Sequence, residues 1–300
     1  MPLDAPRHQV PVSAGEVLLA WVAQRERDVR HVWRLRKEMA RLHAGLAAGK
    51  RPVVVYSPQK TGSTAVATAL ERHPDVVLSK VHTLLPEHYW DGDLRRRVHP
   101  DGSILIGSHY TEAARRVFMV PRRAAQFVVT LREPVATNLS WFAFAAHRAW
   151  LRDKRKQLAT LGGDQLAALF LERFPHQATA VWPQVEMGAA LGFDPYSEPF
   201  PQERGWQRVK CGPWDVLILR ADLPDAAKAD ALQQFTGLRG LEVKRARESG
   251  EGVDGIYARL KSAMHAHPDY VARMLDTRFA THYWSAEQRA AIAQRWAAPR

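Results

Sequence analysis

Short apolar runs along the chain alternate with stretches whose apolar residues recur at helical spacing. Residues 52–56 form a β-branched run without polar alternation, which is typical of a strand buried on both faces of a parallel sheet. After a polar turn, Val66, Ala69 and Leu70 recur at helical spacing, and Pro74 marks the end of this helix. The pattern predicts a strand, a turn and a helix in direct succession.

Later apolar runs predict further strands. Residues 126–131 precede Pro134, which suits the first turn of a helix, and residues 103–107 form a second run. Another run, residues 214–219, precedes a helix that ends near Gly237. Strands that alternate with helices favour an α/β fold with a parallel sheet, whose ligand binds at the carboxyl ends of the strands.

The beginning of the chain predicts a helical extension. Residues 14–48 form an amphipathic region, and the alternating charges of residues 25–30 are typical of a solvent-facing helix. Its apolar residues are expected to pack either on the core or on a second subunit of a homodimer. We therefore predict an N-terminal helical extension, residues 1–48, followed by one α/β domain, residues 49–300.

The polar turn after the first predicted strand has the composition of a phosphate-binding loop. Small residues before a helix N-terminus leave unpaired N–H groups and a partial positive charge, which attract phosphate. Lys60 adds a full charge, and Ser63 and Thr64 add hydroxyl donors. A P-loop places its lysine after the last glycine, whereas Lys60 precedes Gly62, so the order argues against an ATP- or GTP-hydrolysing kinase.

A second pair of residues predicts a second phosphate contact. Arg132 follows the predicted strand of residues 126–131, and Ser140 lies about two turns into the next helix. The fork of guanidinium donors matches phosphate oxygens bidentately. Taken alone, each residue has a structural alternative: the arginine pairs with a carboxylate, and the serine is merely accommodated in the helix.

Together the two motifs resemble those of the sulfotransferases that use 3′-phosphoadenosine-5′-phosphosulfate (PAPS). In that superfamily a P-K-[ST]-G-[ST]-[ST] loop binds the 5′-phosphosulfate, and a strand-end arginine with a downstream serine binds the 3′-phosphate. The resemblance spans about residues 50–297, is nearest to bacterial sulfotransferase-like and capsular polysaccharide synthesis proteins, and departs at Ala221, where an acid is common. It implies a P-loop-like central parallel β-sheet flanked by helices, with cofactor contacts from Gln59, Lys60, Thr61, Gly62, Ser63, Thr64, Arg132 and Ser140.

The resemblance implies transfer of a sulfuryl group from PAPS to a hydroxyl or amine of a carbohydrate or small-molecule acceptor, leaving adenosine 3′,5′-bisphosphate. Lys60 is expected to stabilise charge on the leaving oxygens. Two histidines compete for the role of general base. His109 follows the predicted strand of residues 103–107 and resembles the lysine-threonine-histidine element of cytosolic sulfotransferases, whereas His82 lies where other glycan sulfotransferases carry a catalytic glutamate. We favour His109 and retain His82 as its rival.

Composition narrows the remaining function classes. The lone Cys211 excludes an internal disulfide and a cysteine zinc cluster, and no H-E-x-x-H spacing occurs, so we expect no metal. Without an apolar run of about eighteen residues or a signal peptide's apolar core, we expect a soluble cytoplasmic protein with no transmembrane segment. The net charge is +12, but no nucleic-acid-binding signature accompanies it, so nucleic acid is not the expected partner.

Two alternatives to an enzyme stay open. One is a binding protein of the same fold that keeps the nucleotide site without performing chemistry. The other is a basic nucleic-acid-binding protein, whose affinity for duplexes would depend strongly on salt.

Overall fold

A computed structural model describes residues 14–85, 97–98, 104–105, 108–146, 151, 154, 157–244 and 255–297, and all of their side chains except those of residues 14–28, 97–98 and 104–105. The chain folds as an α/β structure with a five-stranded, mostly parallel central sheet flanked by helices. The strands are β1 (Arg51–Tyr56), β2 (Val76–Val81), β3 (Arg97–Val98), β4 (Ile104–Leu105), β5 (Ala125–Leu131), β6 (Trp206–Cys211) and β7 (Trp214–Arg220).

Twelve α-helices are present in the described part of the chain, together with π-helical turns at Arg115–Met119 and Pro183–Gly188 and a 3₁₀ turn at Met264–Ala266. None of the described helices combines the length and apolar character needed to cross a bilayer. The α-helices are α1 (Ala14–Ala47), α2 (Ser63–Glu71), α3 (His109–Ala114), α4 (Pro134–Ala145), α5 (Gly163–Arg173), α6 (Ala178–Trp182), α7 (Ala189–Leu191), α8 (Asp225–Thr236), α9 (Ile256–Ala263), α10 (Pro268–Leu275), α11 (Arg278–Tyr283) and α12 (Ala286–Ala297).

The order of strands in the central sheet determines where a ligand can bind. The order is β2-β1-β5-β7-β6, in which β2, β1, β5 and β7 are parallel and β6 pairs antiparallel with β7. After β1 the chain adds β2 on one side, and β5 then lies on the other side of β1. Open α/β sheets bind ligands in a crevice beyond the carboxyl ends of the strands where the order reverses, and here that crevice is the one beyond β1 and β5.

The strand β1 is buried on both faces, as its unbroken apolar run predicts. Val53 and Val55 enter one core together with residues of α2 and α8, whereas Val54 and Tyr56 enter the larger core on the opposite face. Alternation of side chains along a strand sends neighbours to opposite faces, so a doubly covered strand needs apolar residues at every position. The predicted strand of residues 214–219 is likewise confirmed by β7, all of whose residues are buried.

The prediction that residues 103–107 form a strand of the parallel sheet is wrong. Ile104–Leu105 instead pairs antiparallel with Arg97–Val98 in a separate two-stranded unit. An apolar run indicates a strand but not its pairing partner, and in the central sheet the two positions beside β1 are taken by β5 and β2. The sequence analysis did not identify β2, which pairs with β1 along six residues.

The predicted N-terminal helix is present as α1. Its C-terminal half, whose side chains the structure describes, packs on the α/β domain. Leu35 and Leu42 are buried in the larger core, and Arg41 donates a hydrogen bond to the carbonyl of Leu78 in β2. Helix α1 also lies along α3. The division into an extension and a domain stays a prediction, as does the homodimer.

A buried arginine at the end of β7 joins the C-terminal helices to the sheet. The guanidinium of Arg220 forms an ion pair with Asp222 at 2.7 Å and donates to the carbonyls of Gln202 and Tyr283 at 3.0 and 3.1 Å. It also donates to Gln288 in α12. The side chain is only 5% exposed, so these partners replace the water that the charge loses on burial.

We predict that Arg220→Met lowers the free energy of unfolding by roughly 3 kcal/mol, because it removes a buried cation from two carbonyl acceptors and leaves the partly exposed Asp222 without its partner. Urea denaturation measures the change. The control is Arg116→Met, since Arg116 is 55% exposed and its partner Glu112 keeps a second pair with Arg115. Equal losses in the two variants would contradict the structural role of Arg220.

Candidate functional site

Buried hydroxyl groups fasten the loop after β1 to the neighbouring strand β5. Ser57 Oγ accepts hydrogen bonds from the backbone N–H of Thr130 at 2.8 Å and from its hydroxyl at 3.0 Å. Thr61 Oγ1 lies 2.9 Å from Thr130 Oγ1 and donates to the carbonyl of Pro58 at 2.9 Å. The Thr61 side chain therefore forms its contacts with the loop itself and with β5, and it helps to hold the two ends of the loop together.

The backbone of the loop adopts two left-handed conformations. Lys60 has φ +65°, which costs a residue with a Cβ atom about 1 kcal/mol, and Gly62 has φ +80°. Gly62 is also the N-cap of α2, and it offers no side chain to accept from the first-turn N–H groups. Unpaired N–H groups at a helix N-terminus are suited to bind an anion.

Arg132 and Lys60 meet at the crevice between β1 and β5. The Arg132 guanidinium donates to the carbonyl of Lys60 at 3.2 Å, although the two residues are 72 positions apart in the chain. Burial lowers the pKa of Lys60, and the positive charge of Arg132 lowers it further. The two motifs identified in the sequence thus form one cationic site.

Helix α4 faces the same loop. The Lys60 ammonium lies over the Phe144 ring, 4.5 Å from its centroid, and Phe144 is one helical turn beyond Ser140. Ser140 is buried, and its hydroxyl has no hydrogen-bond partner among the described residues. An unsatisfied buried hydroxyl is uncommon in folded proteins, and a water, an ion or a ligand can supply its partner.

The residue after Arg132 couples this site to the end of the chain. Glu133 is the N-cap of α4: its carboxylate accepts from the backbone N–H of Ala136 at 3.0 Å. The same oxygen accepts from the indole N–H of Trp296 in α12 at 3.1 Å. Burial raises the pKa of Glu133, and these hydrogen bonds act in the opposite direction.

The two candidate bases lie in different surroundings. His82 follows β2, and its Nδ1 atom is 2.8 Å from the carbonyl oxygen of Ser57 at the start of the loop. His109 begins α3 and lies against α1, with its ring 6.4 Å from that of His31. Burial lowers the pKa of His109, and the charges of His31 and Arg34 lower it further. The described contacts bring His82, and not His109, to the loop.

A buried carboxylate fixes the segment that carries His82. Glu186, in the π-helical turn Pro183–Gly188, accepts from the Tyr56 hydroxyl at 2.7 Å and from the backbone N–H groups of Leu84 and Leu85. The indole N–H of Trp182 donates to the carbonyl of His82 at 3.2 Å. The sequence analysis missed Glu186, because its partners are more than 100 residues away in the chain.

Lys80 is a further cation at the loop that sequence reasoning did not assign. It is the fifth residue of β2 and donates to the Thr64 hydroxyl in α2 at 2.7 Å. Burial lowers the pKa of Lys80, Glu71 opposes this, and Lys60 adds a further lowering. Recognition of β2 as the strand beside β1 would have identified Lys80, because parallel strands bring their carboxyl ends to one edge of the sheet.

The other predicted contacts lie in the same loop and helix. Gln59 is partly exposed, Ser63 is buried in the first turn of α2, and Thr64 is exposed. Among the described residues, no group of three or more histidine, cysteine, aspartate and glutamate side chains could hold a metal ion.

The sequence matches no family model, and searches of the curated proteins and of the solved structures find no match. Membership of the sulfotransferase superfamily therefore stays a prediction.

We predict that Lys60→Met raises the stability of the ligand-free protein near neutral pH. The pKa of Lys60 is below its ordinary value of 10.5, so the folded state carries a penalty for the charge that is complete below the lowered pKa and absent above 10.5. Methionine keeps an unbranched apolar stem and removes the ammonium group, including its contact with the Phe144 ring. Urea denaturation should show an advantage for the variant that fades as the pH approaches 10.5.

The control for this prediction is Lys210→Met, since Lys210 is exposed on the edge strand β6. We expect this variant to show no pH-dependent advantage. A Lys60→Met protein that is less stable than wild type near neutral pH would contradict the charge penalty.

Proposed function

We propose that the protein is a PAPS-dependent sulfotransferase. The observation that carries the proposal is the contact between Arg132 and the backbone of Lys60 at the crevice beyond β1 and β5. It joins a lysine-bearing loop at a helix N-terminus to an arginine at a strand end, which are the two parts that a nucleotide with phosphates at both ends requires.

Different groups of the protein bind the two ends of the nucleotide. The 5′-phosphosulfate is bound by the loop of residues 57–62 and the N–H groups at the start of α2. The 3′-phosphate is bound by Arg132 and by Ser140, whose buried hydroxyl has no partner among the described residues. A phosphate oxygen beside Ser140 would satisfy this hydroxyl, and the negative charge would relieve the repulsion between Arg132 and Lys60.

The chemical step is an in-line transfer between two oxygens, or from oxygen to nitrogen for an amine acceptor. A bond forms between the acceptor atom and the sulfur, and the bond between the sulfur and the bridging phosphate oxygen breaks. The electron pair stays on that oxygen, so the product is adenosine 3′,5′-bisphosphate. Lys60 stabilises the charge that develops on the leaving group, and a base takes the acceptor proton.

The geometry favours His82 as that base, although the sequence favoured His109. A carbonyl oxygen only accepts hydrogen bonds, so the contact between His82 Nδ1 and the Ser57 carbonyl requires the proton to be on Nδ1. In the neutral ring the lone pair is then on Nε2, which is the form that a base needs. Glu186 accepts hydrogen bonds from the backbone N–H groups of Leu84 and Leu85 and so helps to fix the backbone of the segment that carries His82.

An exposed aromatic side chain beside Lys60 is the proposed contact for the acceptor. Phe144 is 48% exposed and lies next to the ammonium group that meets the leaving oxygens. Aromatic rings and sugars both present apolar faces that stack on such a ring. The proposed acceptor is therefore a carbohydrate or a small molecule with a ring close to its hydroxyl or amine.

We predict that adenosine 3′,5′-bisphosphate and PAPS raise the melting temperature of the protein and that ATP does so only weakly. The reason is that ATP lacks the 3′-phosphate for Arg132 and Ser140, and a ligand stabilises the folded state by mass action. Thermal unfolding with the three nucleotides at equal concentration tests the proposal. Equal shifts with ATP and the bisphosphate would sink the assignment of two phosphate sites.

We predict that His82→Ala lowers turnover by about a hundredfold or more, the usual effect of losing a general base, without weakening the binding of the bisphosphate. His109→Ala is the matched control, with little expected effect. The acceptor is first identified by mass spectrometry of a cell extract incubated with the protein and isotope-labelled PAPS, and turnover is then measured with it. If His109→Ala is the inactive variant and His82→Ala stays active, the base is His109.

A further inference from the structure

The face of α1 that points away from the domain carries large apolar side chains. Leu35 and Leu42 are buried in the larger core, and at about 100° per residue the positions of Val29 and Trp33 lie on the opposite side of the helix. Val29 is 64% exposed, and Trp33 is the one exposed tryptophan among the residues whose side chains the structure describes. Val32, which neighbours both of them on the helix surface, is also exposed. The three side chains form one apolar stripe in contact with water.

Cations border this stripe without acids among them. Residues 29–37 contain four arginine and lysine residues and no aspartate or glutamate. The Lys37 ammonium lies over the Trp33 ring, 5.3 Å from its centroid. The next residue, Glu38, is buried and pairs with Arg41, so its charge does not serve the outward face. The exposed cations beside the stripe are Arg34, Arg36 and Lys37.

An apolar stripe bordered by cations is typical of helices that lie in the interface of an anionic membrane. There the apolar side chains reach the boundary of the acyl chains, the tryptophan ring lies at the level of the headgroups, and arginine and lysine residues meet the lipid phosphates. Each basic residue near an anionic surface adds to the affinity. Leu35 and Leu42 hold α1 on the domain by its other face, so such binding does not require α1 to leave the domain.

Two other occupants match the outward face of α1 less well. A second copy of the chain would bring the same cations to it in a two-fold contact, and each copy has a net charge of +12. A nucleic acid supplies phosphates for the cations, but it offers no apolar layer for Val29 and Val32. An anionic bilayer supplies both kinds of contact, so charge and apolar surface together favour it.

We propose that the outward face of α1 binds the surface of a membrane that contains anionic lipids. In this arrangement the axis of α1 lies in the plane of the headgroups. The inference goes beyond the proposed function, because it involves neither the nucleotide nor its acceptor. The residues that make the contact are Val29, Val32, Trp33, Arg34, Arg36 and Lys37.

Flotation of the full-length protein with lipid vesicles tests the inference. We expect the wild type to float with vesicles made of equal parts of phosphatidylcholine and phosphatidylglycerol, and not with vesicles of phosphatidylcholine alone. Added salt should weaken the binding, because it screens the attraction between the cations and the headgroups. Trp33→Ser should lower the partition coefficient roughly tenfold, and the double variant Arg36→Gln, Lys37→Gln should lower it roughly tenfold or more.

The matched controls are Val120→Ser and Lys210→Gln. Val120 is 73% exposed at the end of the π-helical turn Arg115–Met119, and Lys210 is exposed on the edge strand β6. Each control removes an exposed apolar or charged group away from α1, so neither should change the partition coefficient. All variants should melt close to the wild-type temperature, because every altered side chain is exposed.

Four results would overturn the inference. Two are a wild type that does not float with the anionic vesicles, and losses in the controls equal to those in the α1 variants. Light scattering without vesicles gives the third: a wild-type dimer that Trp33→Ser converts to a monomer would assign the face to a second copy. The fourth is binding of duplex DNA that Trp33→Ser abolishes while vesicle binding is unchanged, which would assign the face to nucleic acid.

Discussion

The hydrogen bonds among Ser57, Thr61 and Thr130 are the constraint on which the site depends. They join the ends of two parallel strands at the point where the order of the sheet reverses, and all three side chains are buried. Because these hydroxyls satisfy one another, the loop keeps a fixed path in spite of the left-handed conformation of Lys60. The cations around the crevice then have defined positions before any ligand binds, which reduces the ordering that binding requires.

Stability and binding make opposite demands at this crevice. Burial lowers the pKa of both Lys60 and Lys80, the charge of Arg132 lowers the pKa of Lys60 further, and the charge of Lys60 lowers that of Lys80. Such a cluster weakens the ligand-free fold, whereas an anion of matching shape gains from each of the charges. The larger core and the bonds of Arg220 supply stability elsewhere in the molecule, where no ligand is involved.

The sequence predicted those parts whose signal is local. An unbroken apolar run identifies β1, β5 and β7, and a lysine-bearing turn before a helix identifies the loop. The sequence did not predict the parts of the structure that depend on contacts between residues far apart in the chain. The six residues of β2 include a serine and a lysine, so the strand was overlooked and the run at Ile104–Leu105 was assigned to the sheet in its place. Because of that error, His109 was expected at the end of a strand of the central sheet. The surroundings of His82, Lys80 and Glu186 could not be predicted.

The contact between Glu133 and Trp296 has a consequence for the order in which the molecule matures. Glu133 fixes the first turn of α4, directly after Arg132, and one of its partners lies in the last described helix. During synthesis from the N-terminus, the loop and Arg132 leave the ribosome long before α12 does. A nascent chain therefore holds all of the proposed nucleotide contacts without the indole that completes the support beneath them, and the site reaches its final form only after α12 has been synthesised.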